Sequence, residues 1–167
     1  PTYVKLTTMP YTKAECVILN GVECEPYITA DYRLMTERAD EVLVGLDLLM
    51  RAAKVERGYV GIGANMPSAI ALMQQKVAND DRVEIVPLQA KYPQGGEKQL
   101  VDAVLHRQVP APPAVTANVG AIVINVATAF AVYEAVMKHK PLFERYVTVS
   151  GKEMAYPANF LVRIGTP

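Results

Sequence analysis

The segment YVGIGANMPSAIALMQQKVANDDRVEIVPL (residues 59–88) decides the fold, because it predicts a complete strand–helix–strand unit. Its two ends, YVGIG (59–63) and VEIVPL (83–88), are short apolar runs typical of buried strands. Asn65 as a cap and Pro67 in the first turn predict where the intervening helix begins. The apolar side chains of that helix recur at spacings of three and four: Met66, Ile70, Met73 and Val77. Two strands joined by one helix form the repeating unit of a parallel sheet.

The same alternation extends in both directions along the chain. ECVIL (15–19) predicts an earlier strand, and GAIVINV (120–126) predicts a fourth. After the first strand, a long helix is predicted to begin at Thr29 or Asp31. Its buried face has helical spacing throughout: Met35, Ala39, Val42, Leu46, Leu49 and Ala53.

Two further helices complete the pattern. Glu97 opens one of them, and Thr128 is predicted to cap another that runs through Met137. Strands that alternate with helices predict an α/β fold. Because the strands are apolar on both faces, we expect a parallel sheet of about four strands with helices on both sides.

The C-terminal residues 145–167 have a different character. The β-rich runs YVTVSG and NFLVRIG are separated by a polar turn without helical periodicity. This pattern predicts a hairpin, which we interpret as the start of a second, β-type domain. The chain opens on Pro-Thr without a methionine and closes on IGTP, so we expect it to be a piece of a longer protein.

Composition excludes several classes of protein. The 17 basic and 17 acidic residues cancel, which argues against a nucleic-acid-binding protein. No apolar run approaches the roughly 20 residues of a membrane-spanning helix, so no direct membrane span is predicted. Two cysteines, Cys16 and Cys24, are too few for a disulfide framework or an iron–sulfur cluster, and no metal site is predicted in this chain.

The loops that follow the predicted strands carry the candidate binding residues. In an open α/β sheet, ligands bind outside the carboxyl ends of the strands. The side chains and glycines at these positions are Asn20, Glu23 and Glu25 after the first strand, Gly95, Gly96 and Glu97 after the third, and Asn125 and Thr128 after the fourth. Each also has a structural interpretation as a turn, a solvated charge or a helix cap. Their placement at successive strand ends favours a ligand site.

The stretch KYPQGGEKQL (91–100) has the glycines and lysine of a phosphate-binding loop, but Glu97 stands where that loop requires its lysine. It occurs together with two other distinctive runs, ILNGVECEPYITADYRLM (18–35) and INVATAFAV (124–132). At these three runs the sequence resembles RnfC, the NADH-oxidising subunit of the Rnf electron-transport complex. The wider superfamily includes the flavin-bearing subunit of respiratory complex I and a cobalamin reductase.

The resemblance implies a Rossmann-like domain over residues 1–144 that binds FMN non-covalently and stacks NADH on the flavin. Electrons would pass to 4Fe–4S clusters in a region outside this chain. The chain alone is expected to be inactive. Residues 145–167 would begin a β-grasp domain of the SLBB type. The partners would be the other Rnf subunits, at the cytoplasmic face of the cell membrane, with no direct span.

The resemblance also implies roles for individual residues. Glu97 would be catalytic, on the nicotinamide side of the flavin, and Lys5 would lie near the flavin. The remaining cofactor-binding residues would be Asn20, Glu23, Glu25, Gly95, Gly96, Asn125 and Thr128. Part of the phosphate site would lie in a Gly-rich segment upstream of Pro1. Two alternatives stay open: a related electron-transfer flavoprotein, such as a cobalamin reductase or a proline-reductase partner, and a non-catalytic docking module.

Overall fold

A computed structural model of the protein describes residues 2–7 and 13–167. Pro1, upstream of which the resemblance places part of the phosphate site, lies outside the described residues. In chain order the elements are α1 (Thr2–Thr7), β1 (Cys16–Gly21), α2 (Ala30–Glu37), α3 (Ala39–Ala53), β2 (Arg57–Gly63), α4 (Pro67–Val77), β3 (Val83–Leu88), α5 (Glu97–Leu105), a 3₁₀ turn (Thr116–Val119), β4 (Ala121–Asn125), α6 (Val126–Met137), β5 (Glu144–Val149) and β6 (Ala158–Arg163).

The first four strands form one parallel sheet in the order β3-β2-β1-β4, which confirms the predicted fold class. The register places Asn20 of β1 beside both Gly61 of β2 and Asn125 of β4. The carboxyl ends of three strands are therefore level at one edge of the sheet. The outer strand β3 contains Pro87, which lies opposite Ile62 of β2.

Two apolar cores cover the two faces of the sheet. Val17 and Leu19 of the central strand β1 belong to the core formed with α2, α3, α4 and α6. Ile18, between them, belongs to the other core, with Leu100 and Val101 of α5. Successive side chains of a strand point to opposite faces, so a fully buried central strand requires helices on both sides.

One predicted helix is wrong in extent: the long helix after the first strand is two helices that meet at Arg38. The backbone of Arg38 leaves the helical region, with φ −133° and ψ 33°. The hydroxyl of Thr36 donates to the carbonyl of Tyr32 at 3.0 Å, a contact that bends helices. Asp40 and Glu41 then lie in the first turn of α3, where negative charge is favoured. The six apolar residues predicted for this face are nevertheless buried.

Two predicted helix caps are also wrong. Asn65 lies in a tight turn closed by a hydrogen bond from Met66 N to Gly63 O at 2.9 Å, so α4 starts after Met66, with Pro67 in its first position. Strand β4 passes into α6 without a loop, so the cap is Asn125, whose side chain accepts from Ala127 N at 2.8 Å. Thr128 therefore lies inside the helix.

The predicted C-terminal hairpin is present as β5 and β6, which pair antiparallel in a separate two-stranded sheet with Tyr146 opposite Leu161. The ring of Tyr146 packs edge-on against Phe130 of α6, with 6.0 Å between centroids. No helix within residues 2–7 and 13–167 has both the length and the apolarity needed to cross a membrane.

Candidate functional site

The carboxyl ends of the strands open into a cavity of about 360 Å³, which we call the strand-end cavity. Its volume falls within the range of small-molecule sites, roughly 300–1,000 Å³. The loop after β1, the start of α2, the loop before α5, the end of β4 and strand β5 all contribute to it. The lining residues are Asn20, Glu23, Cys24, Glu25, Ile28, Ala30, Asp31, Gly95, Asn125, Tyr146, Val147 and Thr148.

Asn20 joins two of the loops around this cavity. Its side-chain amide donates to the carbonyl oxygen of Gly95 at 2.8 Å, and its Oδ1 accepts from Val22 N at 3.3 Å. Gly95 N in turn donates to the sulfur of Cys24 at 3.4 Å. A Cβ atom at Gly95 would lie 3.2 Å from that sulfur. Bare backbone at Gly95 therefore lets the two loops meet beside the cavity.

Glu23 caps α2 from the loop after β1, several residues before the helix begins. Its two carboxylate oxygens accept from the backbone N–H groups of Asp31 at 2.8 Å and Tyr32 at 3.1 Å. Burial raises the pKa of the Glu23 carboxyl, and these two hydrogen bonds oppose the increase. The structure thus gives Glu23 a role in positioning α2 at the cavity.

Asp31 is a cavity residue that the sequence indicated only as a helix start. Its carboxylate accepts from the side-chain amide of Asn125 at 2.7 Å. Burial raises the pKa of Asp31, and the Asn125 hydrogen bond and the positive charge of Arg145 oppose the increase. The two partners are far apart in the sequence, so no local pattern could have indicated this contact.

Glu97 and Lys5 lie elsewhere, in contact with each other. Glu97 is the first residue of α5 and forms an ion pair with the ammonium of Lys5 from α1. Lys5 also donates to the carbonyl oxygen of Val123 at 2.8 Å. Both side chains are partly exposed, at 37% for Lys5 and 48% for Glu97. Neither lines the strand-end cavity.

The other predicted residues divide between the cavity and its surroundings. Glu25 is exposed and lines the cavity, whereas Thr128 is half-buried in α6 and does not. Gly96 precedes α5 as its N-cap, where a Cβ atom would meet the side chain of Gln99. The structure therefore brings together Asn20, Glu23, Glu25, Gly95 and Asn125.

A second, larger cavity of about 770 Å³ lies on the other side of the loop after β1 and shares Glu23, Cys24, Glu25 and Ile28 with the first. Tyr27 and Tyr92, 81% and 73% exposed, line it. Neither tyrosine was predicted, because single exposed aromatics give no periodic signal.

The comparison with protein families decides the relationship. A family model described as the Nuo51 FMN-binding domain matches residues 1–134. The chain belongs to this family.

Curated relatives of this Nuo51-family chain confirm the resemblance to RnfC, and each is a component of an ion-translocating oxidoreductase complex. The chain is 44% identical over 167 residues to its relative in the Na+-translocating ferredoxin:NAD+ oxidoreductase complex of Acetobacterium woodii, covering 100% of this chain and 38% of the relative. It is 46% identical over 166 residues to the counterpart in the proton-translocating complex of Clostridium ljungdahlii. This match covers 99% of this chain and 36% of that relative. The counterpart in the ion-translocating oxidoreductase complex of Rhodobacter capsulatus is 43% identical over 170 residues. This match covers 100% of this chain and 32% of that relative. The chain thus spans about a third of the length of these relatives.

Solved structures support the fold. The chain superposes on crystal structures of NAD+-reducing NiFe hydrogenase in the air-oxidised and H2-reduced states, with TM-scores of 0.81 and 0.77. In both, sequence identity is 21% and 99% of this chain is covered, against 33% and 34% of the hydrogenase chain. The hairpin is therefore included in the shared fold.

The residues at the strand-end cavity fit one part of FMN. The bare backbone of Gly95 and the side-chain amide of Asn20 suit a planar ring with hydrogen-bonding edges. The carboxylates of Glu23, Glu25 and Asp31 do not suit a phosphate, and no Lys or Arg of the described residues lines the cavity. Among residues 2–7 and 13–167, no group of three or more His, Cys, Asp and Glu side chains is arranged to hold a metal ion.

Proposed function

We propose that the chain holds the flavin ring of FMN at the strand-end cavity and exchanges hydride between FMN and NAD(H). One observation carries this proposal: the part of the chain that matches the Nuo51 FMN-binding domain, residues 1–134, contains the strand ends that enclose the cavity. Flavin, when bound, supplies the chemistry that links two-electron hydride transfer to one-electron transfer.

The protein residues act by binding and orienting. Asn20 holds the loop before α5 against the loop after β1, so that the backbone of Gly95 faces the ring closely. Each side-chain amide has two N–H donors. The Nδ2 of Asn20 uses one donor on Gly95, which leaves the second for an edge of the ring.

Glu97 is proposed to accept a hydrogen bond from the nicotinamide carboxamide. For this role the Glu97 carboxylate must break its ion pair with the Lys5 ammonium and bind the ligand instead. Exposed ion pairs contribute about 0–1 kcal/mol, so this exchange costs little. Lys5, which also donates to the carbonyl oxygen of Val123, is proposed to lie near the flavin, as the resemblance implies.

The wider setting is also a proposal, because the chain spans about a third of its relatives. We propose that electrons pass between the flavin and 4Fe–4S clusters outside this chain. The partners would be the other subunits of an Rnf-type ion-translocating complex, with this chain peripheral on the cytoplasmic face of the membrane. The names of the relatives, ferredoxin:NAD+ oxidoreductases, are compatible with hydride transfer in either direction.

The test is a pair of variants in the full-length protein. Glu97→Gln is expected to slow NADH oxidation with ferricyanide as acceptor by about tenfold or more, because a hydrogen bond to a charged group contributes about 1.5–3 kcal/mol. The amount of FMN that the protein retains, measured by flavin absorbance, is expected to change by less than about twofold. A change of this size is typical of surface substitutions. The matched control is Glu84→Gln, an exposed carboxylate on β3.

Equal oxidation rates in Glu97→Gln and the wild type would restrict Glu97 to a structural role at the start of α5, where it pairs with Lys5. A wild-type protein without flavin or NADH oxidation would favour the docking-module alternative.

A further inference from the structure

The C-terminal hairpin supplies one wall of the strand-end cavity. Tyr146, Val147 and Thr148 of β5 line the cavity; Tyr146 and Thr148 are half-buried, whereas Val147 is exposed. The sequence assigned these residues to a following domain. In the structure they close a site that the strand ends alone would leave open.

A hydrogen-bonded cluster anchors this wall to the α/β domain. The hydroxyl of Thr148 accepts from Thr29 N at 3.1 Å and donates to Oδ1 of Asn159 at 2.6 Å. The side-chain amide of Asn159, on β6, donates to Oγ1 of Thr29 at 3.0 Å. Both strands of the hairpin are thereby tied to the residue that precedes α2.

Thr29 connects this anchor to the cavity floor. The helix that it precedes begins at Ala30, and Glu23 accepts from the N–H groups of that first turn. Asp31, in the same turn, accepts from Asn125 at the end of β4. The hairpin, the start of α2 and two strand ends therefore form one connected set around the cavity.

A second set of contacts fixes the start of β5. Tyr146 packs on Phe130, and the ammonium of Lys140 lies 3.1 Å from carboxylate oxygens of both Glu134 and Glu144. These contacts hold β5 beside α6, while the Thr148 anchor holds it beside α2. The wall is thus supported at both ends.

We infer that Thr148 and Tyr146 are positioning residues of the flavin site, with the hairpin closing the strand-end cavity over the bound ring. This inference rests on the proposed function, because it assumes that FMN occupies this cavity. The affinity for FMN then depends on the Thr148 anchor, and ligand binding protects the backbone of β5.

The experiment uses the full-length protein and two reciprocal variants on one strand. Thr148→Val removes the hydroxyl while keeping the side-chain volume, and Val149→Thr makes the opposite change at an exposed residue of β5 that does not line the cavity. Flavin fluorescence titration with FMN is expected to give a three- to tenfold weaker Kd for Thr148→Val, as for about one hydrogen bond. Val149→Thr is expected to bind within about twofold of the wild type.

Hydrogen–deuterium exchange supplies a readout that a stability effect alone would not change. In the wild type, added FMN is expected to slow amide exchange across residues 144–149. Equal FMN affinities of Thr148→Val and wild type, or equal weakening by both variants, would overturn the inference. Absence of β5 protection in a protein that binds FMN would overturn it while leaving the proposed function intact. A wild-type protein that binds no FMN would overturn both.

Discussion

At the residue scale, the side chains predicted to hold a cofactor are already bonded to the protein. Asn20 binds Gly95, Asn125 binds Asp31, and Glu23 binds the first turn of α2. These contacts connect loops that are distant in sequence, so they set the shape of the cavity before any ligand arrives. In our proposal, the ligand uses the donors that remain.

Asp31 leads to a prediction about pH. Its pKa is raised in the folded state, mainly by burial. Between its ordinary pKa, about 3.9, and the raised value, the folded state holds more protons at Asp31 than the unfolded state. The free energy of unfolding therefore falls as pH rises through this window. Asp31→Asn keeps an acceptor for Asn125 and removes the titration, so its stability, measured by urea denaturation, is expected to depend less on pH.

The control for this prediction is Asp102→Asn on the exposed face of α5. Its stability is expected to follow the wild-type pH dependence. A pH dependence of Asp31→Asn that parallels the wild type would contradict the assignment of the effect to Asp31.

The sequence indicated Gly95 and Asn125 as site residues because both follow apolar strands in motifs of unusual composition. It could not indicate that Asp31 would face Asn125, since 94 residues separate them and only the folded sheet brings them together.

At the scale of elements, α3 and α6 cross at Gly45 with their backbones in contact. A Cβ atom at Gly45 would lie 2.6 Å from the carbonyl carbon of Ala129, closer than packed atoms allow. Gly45→Ala is therefore expected to lower the free energy of unfolding by about 1–3 kcal/mol. That loss is reduced, but not cancelled, by the higher helix propensity of alanine, up to about 1 kcal/mol. Urea denaturation of both proteins measures the difference.

Val44→Ala, one residue earlier on the exposed side of α3, is the control, with an expected change of about 0.5 kcal/mol or less. A Gly45→Ala protein as stable as the wild type would show that α3 and α6 separate without loss of packing.

Element types followed from the sequence, but some boundaries did not. Apolar periodicity continued unbroken across Arg38, because both α2 and α3 bury the same face in one core. The break depends on backbone geometry that hydrophobic spacing does not encode. Similarly, Thr128 fits the composition of a cap, but the direct passage from β4 to α6 gives that position to Asn125.

At the scale of the whole molecule, the acidic and basic residues balance, but the strand-end cavity is acidic. Glu23, Glu25 and Asp31 line it, without a Lys or Arg side chain among the described residues. The phosphate of FMN carries about −1.5 to −2 charges at neutral pH. We therefore expect this 167-residue chain to bind FMN weakly. Its affinity for FMN is expected to be no more than about threefold higher than its affinity for riboflavin, which has no phosphate. A ratio of about threefold corresponds to less than one hydrogen bond.

Parallel fluorescence titrations with the two flavins at low ionic strength measure this ratio. The control is the full-length protein, for which we expect a clear preference for FMN. If the 167-residue chain prefers FMN by more than about tenfold, the worth of a charge-assisted hydrogen bond, the phosphate site lies within these residues.

The architecture of the α/β unit followed from its alternating pattern, and the hairpin from its two β-rich runs. The position of the hairpin over the cavity could not be predicted, because its anchor joins Thr29 to Asn159, 130 residues away. Side chains of such common type give no signal in a single sequence.

The strand order β3-β2-β1-β4 leaves two outer strands, and it has a consequence for self-association. An open strand edge offers unpaired backbone groups on which a second chain can add, the first step toward fibrils. Here β3 contains Pro87, which lacks the amide hydrogen needed for a continuous ladder. On β4, the charged end of Lys5 binds the carbonyl oxygen of Val123. Both edges of the sheet thus carry a feature that opposes strand addition.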